Sequence, residues 1–135
     1  MMTHRFKFFH RWLAMGYGLI LLVISLSLTP FPPDIPLPDI LKENGDKLGH
    51  GMAYAMLMVW FAWLYPNLRT RLGYAAGFVV LGIALEFAQG LTEYRAFELA
   101  DMSADAVGVA LGWITALPPL PNLLVLIERG LLKAV

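Results

Sequence analysis

The chain has no cysteine among its 135 residues, which removes disulfides, thiolate nucleophiles and thiolate metal sites. Charge is also scarce. Asp, Glu, Lys and Arg make up 15% of the residues, hydrophobic residues 59%, and the formal net charge is zero. That balance is too apolar for an ordinary soluble core of this length. There is no broad basic surface, so the electrostatic footprint of nucleic-acid binding is missing. No G-x-S-x-G elbow occurs, which argues against covalent serine catalysis. No H-E-x-x-H or comparable ligand spacing occurs either, so neither a metal nor an organic cofactor is expected; a divalent cation is the less favoured alternative. Internal repeats and low-complexity tracts are absent, and the length fits one domain, residues 1–135.

What the chain does have is four apolar stretches, at about 12–28, 46–65, 72–91 and 101–117. A membrane span takes ~20 residues, within a range of about 17 to 25. The expected fold is therefore all-α, an integral membrane bundle of four transmembrane helices. Pro30, Pro32 and Pro33 end the first stretch, Pro66 and Asn67 the second, and Pro118, Pro119 and Pro121 the fourth. Residues 122–135 form a short amphipathic C-terminal segment that lies in the interface or crosses it. Residues 30–47 contain five prolines and are expected to be extended, without regular helix over most of their length. The first stretch is longer than the apolar region of a cleaved signal peptide and no clear A-x-A site follows, so it is expected to be retained.

The charges are segregated. Lys and Arg gather in the N-terminus (Arg5, Lys7, Arg11), the loop with Arg69 and Arg71, and the tail with Arg129 and Lys133; these are seven of the ten. Every acidic residue except Glu128 falls at or just below the other face. The excess of Lys and Arg on cytoplasmic loops then places both termini in the cytoplasm and the acidic loops outside. Trp12, Trp60, Trp63, Tyr65 and Trp113 fit interfacial anchoring only loosely.

At the acidic face three helices carry polar groups to one depth. Asp46, His50 and Tyr54 are spaced by four on the second helix, Glu86 and Gln89 by three on the third, and Asp101 and Asp105 by four on the fourth. Asp101, Asp105, Gly108 and Gly112 make one stripe, which must face inward because lipid does not accept carboxylates. Ionisable groups within membrane helices are functional candidates by default. Glu86, His50, Asp105 and Asp101 are the candidate catalytic set; Asp46, Lys47, Tyr54, Gln89 and Arg95 are the candidate binding set. Each also has a structural reading: Asp101 and Asp46 as helix caps, Lys47 as a snorkelling side chain, and the others as interhelical hydrogen-bond partners. The N-termini of the second and fourth helices, with Lys47 and Arg95, favour an anion. Gly73-x-x-x-Gly77 and Gly108-x-x-x-Gly112 are expected to pack helices closely, within the bundle or against a second copy.

At these residues the chain resembles the VanZ-like family of small bacterial membrane proteins. The resemblance rests on Asp46-Lys47-x-x-His50-x-x-x-Tyr54, Glu86-x-x-Gln89, Arg95 and Asp101-x-x-x-Asp105-x-x-Gly108, over about residues 40–115. The family pattern usually has Asn where this chain has Asp105, which adds a second acid on the fourth helix. The resemblance implies a multi-pass inner-membrane protein with this polar cluster as its site. The family's namesake is linked to resistance to the glycopeptide antibiotic teicoplanin.

Three functions fit these residues. One is a binding protein for an anionic envelope lipid or lipid-linked cell-wall precursor head group. Another is an enzyme on such a head group, with Glu86 as general base, His50 as acid or proton shuttle, and Arg95 with Lys47 clamping the anion. The third is a structural subunit whose polar cluster only holds helices together. A proton path is less favoured, because nothing titratable continues to the other face. The sequence leaves whether it is an enzyme, and whether it self-associates, open.

Overall fold

The computed structural model describes residues 6–28, 39–91 and 99–134, the side chains of 39–47 excepted. All regular structure in these residues is helical: α1 (Phe9–Ser27), α2 (Asp39–Leu64), α3 (Leu68–Gly90), α4 (Leu99–Thr115) and α5 (Leu123–Ala134). The expected all-α bundle is present, with most helix boundaries close to those the prolines set.

Local chemistry fixes the ends near the basic face. Asn67 caps α3, its side-chain oxygen accepting from the Arg69 N–H at 2.9 Å, as Asn commonly does. Arg71 reaches back and donates to the carbonyls of Ala62 and Tyr65, two of the acceptors that the end of α2 leaves without intrahelical partners. Asn122 accepts from the Val125 N–H to cap α5 and donates to the Trp63 carbonyl, which ties α5 to α2.

Helix α2 is the centre of the bundle, and its largest interface is with α4. Glycine makes that interface. A Cβ on Gly108 would run into the Gly51 carbonyl, and one on Gly112 into the Ala55 carbonyl, so the two backbones pass in direct contact, as small residues permit. Gly16 of α1 lies under the rings of Phe61 and Trp60 in the same way. One apolar layer joins Tyr54, Leu57, Met58, Phe61, Phe78 and Val109. Another, at the basic end, joins Phe6, Phe9, Trp12, Val59, Trp63, Leu64 and Leu124.

Two helices, α1 and α3, are long and apolar enough to cross a membrane, against the four such stretches expected. Helix α2, at 26 residues, is about 39 Å long, but its first third is polar and only Leu48–Leu64 is apolar. Helix α4 has 17 residues, two of them buried carboxylates. The apolar helices are not soluble-core helices: 11% of the apolar window of α1 and 28% of that of α3 is buried. Leu21, Leu22, Leu26, Val80, Ile83 and Phe87 instead point outward, an apolar exterior that marks a membrane or partner surface.

Two expectations are corrected. Residues 39–47 are helical, so α2 starts seven residues before Asp46; the five prolines all precede Asp39, and the residues that follow are free of that constraint. Gly73 and Gly77 pack against no helix of the bundle among the described residues. Nothing lies within 4 Å of a Cβ built on either, and they line an open groove of about 540 Å³ with Tyr17, Ile20, Tyr74 and Leu81. Trp12 and Trp63, both near the basic end, are buried within the bundle. The helix α5 of the C-terminal segment has 12 residues and is about 18 Å long.

Candidate functional site

Helical register brings His50, Glu86, Asp101 and Asp105 together. Asp101 lies in the first turn of α4 and Asp105 one turn further on, both facing α2 and α3. Glu86 is one turn from the end of α3, and His50 precedes the Gly51 against which Gly108 packs. Glu86 and Asp105 are 1% exposed and Asp101 is 3% exposed, so none of these carboxylates meets lipid.

The shortest contact is between His50 Nδ1 and Asp105 Oδ1, at 2.8 Å. With Asp105 ionised its oxygen can only accept, so Nδ1 is then the donor and Nε2 faces the other way. Nε2 then lies 3.9 Å from Asp101 Oδ2, and one donor atom each from His50, Glu86 and Asp101 lie within 4.8 Å of one another. Asp105 fits because α3 has glycine opposite it: a Cβ on Gly82 would stand 2.7 Å from Asp105 Oδ2. That oxygen is buried and has no hydrogen-bond partner among the described residues.

The remaining sequence candidates separate. Tyr54 is fully buried one turn below His50, with Asp105 and Glu86 as its charged neighbours. Gln89 is buried and its amide donates to the Ser27 carbonyl at 2.6 Å, tying the end of α3 to the end of α1. Asp46 and Lys47 are in α2, with side chains outside the described residues, and Arg95 is wholly outside them. The N-terminus of α2 is not at the cluster. Asp39 precedes His50 by eleven residues, about 16 Å of helix, and a helix dipole acts within its first turn. Of the two helix ends expected to favour an anion, that of α4 alone adjoins the described acids.

Glu128, set apart in the sequence as the one acid on the basic side, has a defined place. It is 4% exposed and accepts three hydrogen bonds, from the backbone N–H of Lys7 at 2.6 Å, that of Phe8 at 3.1 Å and the indole of Trp12 at 2.7 Å. It caps the start of α1 from α5, 120 residues away in sequence. Burial raises its pKa, but the N–H donors of Lys7, Trp12 and Phe8 outweigh burial, so its carboxyl titrates below the ordinary Glu range. An acid that follows the apolar run 123–127 and precedes Arg129 on a short tail helix is the sequence signal for it.

No family model matches the chain, and no solved structure matches it. An uncharacterised protein of Schizosaccharomyces pombe is 32% identical over 96 residues, covering 69% of this chain. The chain spans 56% of the length of that yeast protein.

Proposed function

We infer that the chain is a four-span, VanZ-like membrane protein whose acidic end holds an anionic head group, with His50, Glu86, Asp101 and Asp105 as the core of the site. The observation that carries this reading is the convergence of those four groups from three helices into one buried cluster. Burying charge costs several kcal/mol per group, and a bundle that needed only packing could use apolar side chains there.

Helix α2, about 39 Å long over its full extent, has the length for one of the four spans. From His50 to Leu64 is about 21 Å along α2, against a hydrocarbon core of about 30 Å. The cluster would then sit just inside the face opposite the basic termini. In a bacterial inner membrane, with both termini cytoplasmic, it opens to the periplasm. Arg95 and Lys47 supply the positive charge for a phosphate or carboxylate. If a reaction occurs at the cluster, His50 oriented by Asp105 is its proton carrier and Glu86 its base.

The competing reading, a structural subunit, draws on the hydrogen bond from Gln89 to Ser27 and on the link between His50 and Asp105, since both join helices. Native mass spectrometry of the full chain, extracted with its lipids, separates the two. Head-group binding predicts a retained anionic lipid that Arg95→Ala releases while the fold persists. Absence of any retained anionic lipid, or retention unchanged in folded Arg95→Ala, supports the structural reading.

A further inference from the structure

We propose that His50, Glu86 and Asp101 hold a divalent first-row cation, such as Zn²⁺ or Mn²⁺, with Asp105 as the carboxylate that orients the histidine. The proposal stands on the geometry of the cluster and does not require a lipid ligand. Three helices each give one donor atom, and the three atoms lie within 4.8 Å of one another. Bonds from such an ion to nitrogen and oxygen are ~2.0–2.2 Å, which sets donors about 3.0–3.5 Å apart. The 3.9 Å between His50 Nε2 and Asp101 Oδ2 is too long for a hydrogen bond, yet about half an ångström from the spacing of a shared ion.

The histidine is the second, independent sign. Its Nδ1 is bound to Asp105 Oδ1 at 2.8 Å, which leaves Nε2 as the ring nitrogen on the side of Asp101. Metal-bound histidines are oriented in this way, by a carboxylate on the ring nitrogen that does not ligate. The position of Asp105 is itself built, by the space that Gly82 leaves for its carboxylate. Its other oxygen, buried and without a hydrogen-bond partner among the described residues, adds negative potential beside the imidazole and strengthens it as a ligand. One imidazole with two carboxylates suits zinc or manganese, whereas magnesium and calcium prefer oxygen alone. Three protein donors leave a coordination position open, as in catalytic sites, for a phosphate oxygen or a water.

The test uses the full chain in detergent, stripped with a chelator and titrated calorimetrically with Zn²⁺ and Mn²⁺, no lipid being added. The expected result is one ion per chain, with affinity lowered at least ~100-fold in His50→Gln and Asp101→Asn and ~10–100-fold in Asp105→Asn. Co²⁺ supplies a second measurement that does not depend on every variant folding well: its visible bands in the wild-type chain report mixed nitrogen and oxygen ligation, and they should vanish in His50→Gln. Wild-type chain that binds neither ion below millimolar concentration would overturn the proposal. So would a folded His50→Gln chain that binds as tightly as wild type. Anionic-lipid retention, measured separately with the ion present and with it chelated, keeps the two proposals apart: an ion without lipid in either condition defeats the head-group reading alone, and lipid without an ion defeats the cation site alone.

Discussion

Both ends of the bundle bury carboxylates, and they treat them differently. At the basic end Glu128 accepts from two backbone N–H groups and an indole. None of those three donors changes charge in the ordinary pH range, so the arrangement is a cap. At the acidic end Asp105 has one hydrogen-bond partner among the described residues, the titratable ring of His50, and that ring faces two further carboxylates. Equal burial therefore does not mean equal role. The nature of the partners separates an acid that holds helices from an acid that tunes another group.

The largest effect should come from removing the cap. Glu128→Ala leaves three N–H donors without their acceptor, each orphaned donor costing about 1–3 kcal/mol, so a loss of about 3 kcal/mol or more is expected in chemical unfolding of detergent-solubilised protein. A loss under about 0.5 kcal/mol would break the contrast at once. Gly82→Ala should cost less, about 1–2 kcal/mol, because its Cβ displaces the end of a side chain rather than backbone. The shift of Asp105 should lengthen its hydrogen bond to His50, seen as a moved imidazole N–H resonance by NMR.

Acid should sharpen the comparison further. The folded pKa of Glu128 lies below its unfolded value. Its stabilisation is complete above the unfolded value, near ~4.3, and is lost as pH falls through the folded one. Wild-type chain should therefore lose stability more steeply below about pH 4.3 than Glu128→Gln; parallel curves would show that the cap does not titrate. The smallest effect belongs to Gly73→Ala, where a Cβ meets nothing within 4 Å and helix propensity favours Ala by up to about 1 kcal/mol. Its melting temperature should stay or rise slightly, and a clear fall would mean that the groove is filled in the native assembly.

Much of the fold is legible in the sequence because its punctuation is local. Proline clusters and Pro66-Asn67 mark helix ends whatever surrounds them. The start of α2 is misplaced when proline content is averaged over residues 30–47, since every proline there lies before Asp39. The cluster at the acidic face is legible from spacings of three and four, which fix which residues share a helix face. The pairing of His50 with Asp105 is not, because register between helices depends on where Gly108 meets Gly51, and spacing within one helix carries no such information. The two glycine motifs show the same limit: one packs α4 on α2 and the other borders open space. Glu128 cannot be read as a cap from its surroundings in sequence, because its donors are at the far end of the chain.

The central claim is that the acidic cluster is a site and the Glu128 cluster a clasp. Thermal unfolding of Asp105→Asn and Glu128→Gln, side by side in one detergent, tests it most directly. Asp105→Asn keeps the single oxygen that pairs with His50, whereas Glu128 uses both oxygens and Glu128→Gln turns an NH₂ toward the donors of one of them. The account predicts that Asp105→Asn melts within about 2 °C of wild type and Glu128→Gln melts many degrees lower, since about 1 kcal/mol moves a domain of this size by several degrees. The reverse order would contradict it.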